Sequence, residues 1–313
     1  MYDDPLILAG SAHPALAGEI VQALDCEPGG ISIERFPDGE VSIRIEESVR
    51  GRDIYLIQPT SPPVDFNLVE LLAIVDACRR SGARRITTII PYYGYARADR
   101  RSGARLPIMA SLVASMLQAA GVEQVVTVDV HTPQIEGFFH IPMDSLTALP
   151  YLATALVPHV TDATVVVAPD AGRAQMAAEY ARRLGTGVVM LHKQRRSGTE
   201  TKVVSIVGEV RDRRCIIIDD MISTGGTLAG GIDALLQAGA SAGIIVAATH
   251  GLFIDGALER LAGRGVTDIL VTDTVPLHTQ PPAAVSLRTV SIVPLLAEAI
   301  AQLQSGGSLA RLR

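Results

Sequence analysis

Apolar residues in this chain gather in short unbroken runs, at 6–9, 54–58, 86–90, 125–129, 165–169, 188–191, 216–219, 244–248 and 269–272. Each run ends in turn residues and gives way to a longer stretch. Continuous apolar runs of this length, without strict alternation, predict strands buried on both faces of a parallel sheet. Between them, residues 65–81, 108–120, 174–184 and 228–238 repeat apolar positions at helical spacing. Strands alternating with helices in this way predict right-handed crossovers and a doubly wound sheet, with ligands at the carboxyl ends of the strands. The series runs twice, once to about residue 143 and again from about residue 149, so the expected domains are 1–148 and 149–313. Residues 195–202, RRSGTETK, are polar and lie between two strand candidates. That composition predicts a mobile loop.

Composition narrows the class. The 313 residues are 48% hydrophobic, enough for two cores of ordinary size. Twenty-eight Gly and 18 Pro with only 4% aromatics suit an α/β protein rich in strand-to-helix turns. A formal net charge of -6 provides no global basic field, so nucleic acid is not an expected partner. Cys26, Cys78 and Cys215 form no CxxC pair, which predicts neither a disulfide framework nor a thiolate metal site. With Asp3 and Asp4 near the start and no apolar run of about eighteen residues, the expected location is the cytoplasm, without a membrane partner.

The most specific local signal is IIIDDMISTGGTL at 216–228. An apolar strand runs into Asp219 and Asp220, then into Ser223, Thr224, Gly225, Gly226 and Thr227, and then into a helix. The glycines let backbone N–H groups approach an anion, the threonines add hydroxyl donors, and a helix N-terminus favours negative charge. The two carboxylates are acceptors suited to sugar hydroxyls, directly or through a metal ion. A turn with an N-cap would explain Gly-Gly-Thr alone, but not the paired acids. GxxxxGK[ST] is absent, so this is not a Walker loop. The stretch resembles the ribose-phosphate motif of the type I phosphoribosyltransferase superfamily, whose members either use phosphoribosyl diphosphate or make it.

Four further stretches resemble the ribose-phosphate diphosphokinase (phosphoribosyl diphosphate synthetase) family. RFPDGEVSIRI at 35–45 places Phe36, Asp38 and Glu40 on a turn before an alternating strand; the resemblance implies a loop that holds the adenine of ATP in a neighbouring subunit. IIPYYGYARADRR at 89–101 sets three tyrosines beside Arg97, Arg100 and Arg101. Aromatic faces suit a base and guanidinium groups suit phosphates, and the resemblance assigns Arg97 and Arg100 to ATP. VDVHTPQIEGFF at 128–139 places Asp129 and His131 two apart on a strand end, hence on one side of it. The resemblance assigns His131, with Asp170 of VVVAPDAGR and more weakly Asp129, to Mg2+. LHKQRRSGTETKV at 191–203 carries Lys193 and Arg195, which match the family's catalytic lysine and arginine. Ser223, Gln194 and Ala98 depart from the residues most common in the family.

The resemblance therefore implies two tandem phosphoribosyltransferase-like domains, each a mainly parallel sheet flanked by helices. The implied reaction takes Mg-ATP and ribose 5-phosphate to phosphoribosyl diphosphate and AMP, in a homo-oligomer that is at least a dimer and could be a hexamer. Two other readings stay open at this point. A phosphoribosyltransferase would explain the 216–228 turn but not 35–45 or 89–101, and a silent regulatory relative would not need Lys193, Arg195, His131 and Asp170.

Overall fold

A computed structural model describes residues 6–195 and 201–313 of the chain. It divides into two units. The first comprises residues up to Thr147 together with Thr274–Pro276 and Ile292–Arg313, and the second comprises Ala148–Asp273 and Leu277–Ser291.

In the first unit the elements run β1 (Leu6–Ala9), α1 (Pro14–Ala23), β2 (Ile31–Arg35), β3 (Val41–Ile45), β4 (Asp53–Ile57), α2 (Val64–Arg80), β5 (Arg85–Ile90), α3 (Met109–Ala120), β6 (Gln124–Val128) and β7 (Met143–Leu146). A parallel sheet forms in the order β1-β4-β5-β6-β7, and β2 and β3 make a separate antiparallel hairpin. Leu6, Leu8, Ile54, Leu56, Ile86 and Ile90 pack with Leu71, Ile74 and Val75 of α2 and with Val113 and Leu117 of α3. The alternate positions Ile7, Tyr55, Ile57 and Ile89 are buried too. Burial on both faces is why these strands read as unbroken apolar runs. The hairpin does alternate: Ile31, Ile33, Ile43 and Ile45 lean on this core while Ser32 and Arg44 pair between them. The strand order here advances in one direction only, so the doubly wound arrangement expected from strand-helix alternation is not found in this unit. Alternation fixes that strands are parallel, not the side on which each new one is added.

The second unit contains α4 (Leu149–Leu156), β8 (Thr164–Ala168), α5 (Ala174–Leu184), β9 (Gly187–Arg195), β10 (Thr201–Val207), β11 (Arg214–Ile222), α6 (Gly226–Gln237), β12 (Ile244–Gly251), α7 (Ala257–Ala262), β13 (Val266–Thr272) and β14 (Ser286–Val290). The sheet order is β10-β9-β8-β11-β12-β13-β14, parallel except for the β9–β10 pair. Val165, Val167, Cys215 and Ile217 pack against Leu228, Ile232 and Leu235 of α6 and Leu258 and Leu261 of α7. Val166, Ala168, Ile216 and Ile218, the alternate positions, pack against Leu152 and Leu156 of α4 and Ala177, Tyr180 and Ala181 of α5. Here the order does reverse. From β8 the chain moves outward to β9 and β10, then returns to the other side of β8 with β11 and continues away from it. The crevice between the carboxyl ends of β8 and β11 is therefore a topological switch point, where such sheets take ligands.

The last helix, α8 (Val293–Ser305), falls in the span expected to form the second domain, yet clusters with the first unit. It packs against α1. Beyond it Leu312 O accepts from Thr147 N at 2.8 Å, and Arg313 reaches Glu136 at 3.0 Å and Asp144 at 3.8 Å. Strand-helix order along the chain carries no trace of such a return. Among the described residues no helix is long and apolar enough to cross a membrane.

Candidate functional site

The switch point of the second unit collects two of the sequence signals. β11 continues through Asp219 and Asp220 to Ile222, residues 223–225 form a bend, and α6 starts at Gly226. Gly225 is the N-cap residue with φ 71 and ψ 1, a left-handed conformation that glycine adopts without steric cost. Its carbonyl accepts from Ala229 N at 2.8 Å, the first hydrogen bond of the helix. Thr224, Gly226 and Thr227 are exposed, and Ser223 is half-buried with its carbonyl taken by Ile254 N at 3.2 Å. Arg260 of α7 donates to Thr224 O and, at 3.1 Å, to Asp255 O, bracing the turn from behind. The result is a glycine-shaped turn leading into a helix N-terminus, in which Gly226 N donates to Thr224 Oγ1 at 3.5 Å.

Asp220 is buried and Asp219 nearly so, and both lie inside the strand rather than at its end. Arg173 Nε lies 3.4 Å from Asp219 Oδ1, and Arg173 Nη2 lies 3.2 Å from Asp220 Oδ2. Asp219 Oδ1 also accepts from Asp220 N at 2.9 Å. Burial, followed by the neighbouring Asp220 carboxylate, holds the Asp219 carboxyl well above the usual carboxylate range despite Arg173. Asp170 is the half-buried N-cap of a short 3-10 turn, Ala171–Arg173, that follows β8. Arg173 lies within VVVAPDAGR, where the sequence gives it no role. Its signal is weak: one basic residue after a strand end names no partner.

In the first unit the hairpin tip presents Phe36, Asp38 and Glu40, all exposed, with Phe36 54% accessible. Phe36 N donates to Glu40 O at 2.9 Å and Glu40 N to Asp38 Oδ1 at 3.1 Å, which close the turn. At its base Arg35 pairs with the fully buried Glu70 at 2.7 Å and stacks over Phe66 of α2. Ser11 and Gln58 complete the Glu70 shell. Sequence alone does not reveal this anchor, because Glu70 reads as one more polar position on a helix.

Arg97, Arg100 and Arg101 are exposed, but the tyrosines beside them do not form a platform for a base. Tyr92 and Tyr93 are buried; Tyr93 OH donates to Ala110 O at 3.1 Å and its ring meets Phe139 edge-on at 6.1 Å. Tyr95 OH donates to Asp65, a bond that also raises its pKa. Aromatic area is worth more in a core than beside solvent, and this cluster follows that rule.

Asp129 and His131 are not on a strand end as alternation required. β6 stops at Val128, and Asp129 takes φ 39, a turn conformation that aspartate tolerates. The strand-periodicity argument for a common side therefore lapses. Both residues are half-buried. Among the described residues no three His, Cys, Asp or Glu side chains converge as a metal cage. Within the first unit, the half-buried Asp129 and His131 offer an oxygen and a nitrogen donor of kinds that a divalent cation accepts beside water.

Lys193 and Arg195 belong to β9, but their side chains lie outside the described residues, as does all of 196–200. The stretch read as a loop is shortened from both ends, since Thr201 pairs with Arg195 and Lys202 with Gln194. Burial pushes the Cys78 thiol up to about 12 and Cys215 up to about 11, which removes them as nucleophiles.

A parallel sheet whose strand order reverses, with a glycine turn at the switch point, defines an α/β protein of the doubly wound class. A model of the N-terminal domain of ribose phosphate pyrophosphokinase matches residues 6–121, and one of the phosphoribosyl synthetase-associated domain matches 197–313. The ribose-phosphate pyrophosphokinase of Thermotoga maritima is 44% identical over 95% of this chain and 94% of its own. That of Chromobacterium violaceum is 40% identical over 99% and 95%. The crystal structure of phosphoribosylpyrophosphate synthetase from Mycobacterium smegmatis, 39% identical, superimposes with a TM-score of 0.90 over 97% of this chain and 100% of that one. The chain belongs to the ribose-phosphate pyrophosphokinase family.

Proposed function

We propose that this chain transfers the β,γ-diphosphate of ATP to the anomeric hydroxyl of ribose 5-phosphate, giving 5-phosphoribosyl 1-diphosphate and AMP. The observation that carries this reading is the full-length relationship to ribose-phosphate pyrophosphokinases at 44% identity. The glycine turn at the switch point supports it independently, because it offers what a sugar 5-phosphate needs.

In this reading Ser223, Thr224, Gly225, Gly226 and Thr227 hold the 5-phosphate through N–H and hydroxyl donors, and the dipole of α6 adds to the attraction. Asp219 and Asp220 accept the ribose hydroxyls and orient the sugar so that its anomeric oxygen faces the β-phosphorus. Phe36, Asp38 and Glu40 at the hairpin tip hold adenine in a neighbouring subunit, while Arg97 and Arg100 bind ATP phosphates. His131, Asp170 and, more weakly, Asp129 hold Mg2+. The bound ion supplies charge neutralisation for the ATP phosphates. Lys193 and Arg195 stabilise charge on the transferring group and on the departing AMP. Positioning and electrostatics suffice, since phosphoryl chemistry asks for little covalent help. Because the hairpin serves a neighbour, the smallest competent unit is a homodimer.

The test is AMP formation by purified protein from Mg-ATP with and without ribose 5-phosphate, while phosphoribosyl diphosphate is followed directly. Equal amounts of the two products, dependent on the sugar, support the diphosphokinase. Tight binding of both substrates without AMP would replace it with the silent regulatory relative.

A further inference from the structure

Asp219 and Asp220 are consecutive residues of β11, and consecutive strand side chains leave on opposite faces of the sheet. One cation nevertheless reaches both, through Nε to Asp219 and Nη2 to Asp220. The register explains how. β8 pairs with β11 from Arg214↔Thr164 to Ile217↔Val167 and ends at Ala168, whereas β11 runs on to Ile222 beside β12. On the β8 side, among the described residues, no strand pairs with β11 next to Asp219 and Asp220. The chain leaving β8 turns there through Ala171–Arg173 and delivers a guanidinium at the level of the sheet. The Arg173, Asp219 and Asp220 side chains are only 12%, 13% and 3% exposed. A planar fork of donors is the group that can serve two carboxylates from one point; an ammonium ion offers a single centre of charge.

We propose that Arg173 is a positioning residue for sugar recognition, clamping the Asp219 and Asp220 carboxylates in one arrangement at the switch point so that they can accept neighbouring ribose hydroxyls. This rests on the reading of those two carboxylates as the ribose site. Two acceptors must stand at a set spacing to bind two adjacent hydroxyls. Adjacent carboxylates without a counter-ion repel one another and turn apart. Arg173 opposes that separation by its charge, with Nε 3.4 Å from Asp219 Oδ1 and Nη2 3.2 Å from Asp220 Oδ2. Its effect therefore falls on the binding of ribose 5-phosphate, not on ATP and not on the transfer step.

The test is steady-state kinetics and calorimetric binding of ribose 5-phosphate with the full-length wild-type chain, Arg173→Gln, Arg173→Lys, Asp220→Asn and the Arg173→Gln/Asp220→Asn double variant. Arg173→Gln is expected to raise KM and Kd for ribose 5-phosphate roughly ten- to hundred-fold, the range for leaving a nearly buried charged group without its partner. KM for ATP and kcat should stay within about two-fold of wild type. Arg173→Lys should recover part of the loss, and the double variant should bind the sugar no worse than Asp220→Asn alone, since the two residues act as one unit. An unchanged sugar KM overturns the proposal. So does a change centred on kcat or ATP, which would mean direct contact with the transferring phosphates. A loss common to all substrates, with a lowered unfolding midpoint and no rescue by lysine, would reduce Arg173 to a structural ion pair and overturn it equally. Failure of the wild-type chain itself to bind or consume ribose 5-phosphate would instead overturn the parent reading.

Discussion

Thr132 donates its hydroxyl to Asp99 Oδ2 at 2.8 Å, and so joins two turns that lie 33 residues apart in the chain. Asp99 stands between Arg97 and Arg100, and Thr132 follows His131. Residues 91–108 contain no helix or strand, so this bond takes over a task that a sheet ladder performs elsewhere. It fixes the arginine-bearing turn against the turn that carries His131.

Removing that hydroxyl should loosen the arginine turn. Thr132→Val is expected to cost about 1–3 kcal/mol, the range for leaving a nearly buried acceptor without its partner, since the Asp99 side chain is 11% exposed. Denaturant titration reads the stability, and KM for ATP should rise several-fold while KM for ribose 5-phosphate holds. Equal effects on both substrates would argue against a local coupling of these turns.

Glu70 is a charge with no access to solvent, satisfied by Ser11 N and Oγ at 2.7 Å, Gln58 Nε2 at 2.9 Å and Arg35 Nη2 at 2.7 Å. Glu70→Ala leaves Arg35 unpaired and unseats the base of the β2–β3 hairpin. The expected loss is about 3–5 kcal/mol, as for breaking a buried ion pair from one side. It should appear as an earlier unfolding transition and weaker ATP binding. A shift below about 1 kcal/mol would mean that the stack of Arg35 on Phe66 holds the hairpin without Glu70.

Lys193→Ala tests the assignment of transition-state charge. Turnover should fall by orders of magnitude with little change in ATP affinity, because an interaction made only in the transition state affects kcat and not ground-state binding. Weakened ATP binding at unchanged turnover would contradict the role.

Asp219 makes pH a probe of the site. Its carboxyl is held above the ordinary range by burial and by Asp220. Between the usual carboxylate pKa and that raised value, the folded chain binds more protons than the unfolded chain. Its stability therefore falls as pH rises through that window. Asp219→Asn, which mimics the protonated form, should raise the unfolding midpoint at neutral pH and flatten its decline with pH, while abolishing sugar binding. A lower midpoint at neutral pH would mean that the Arg173 pairing outweighs the burial of charge.

The locally encoded features were open to reading from the chain alone. All nine apolar runs fall on strands, and α5 spans 174–184 as its periodicity required, because burial on a face leaves its period in the sequence. The strand, turn and helix at 216–228 were legible for the same reason: strand, glycine bend and helix start are neighbours in the chain. β7, β14 and α4 left weaker marks, being short, whereas α8 buries Val293, Leu296, Ala297 and Ile300 at helical spacing in a stretch where no element was expected. The tyrosines at 92 and 93 misled because composition cannot say which way a ring turns; the core against Phe139 decided that.

The sequence by itself therefore determined the α/β class, the parallel strands, the glycine turn and the family, since each depends on residue type and on spacing over a few turns of chain. Only the tertiary structure decided where the strand order reverses, that Arg173 reaches both Asp219 and Asp220, that Glu70 anchors the hairpin, and that α8 returns to the first unit. Those outcomes are set by contacts between residues tens to hundreds of positions apart, and neither period nor motif carries that information along the chain.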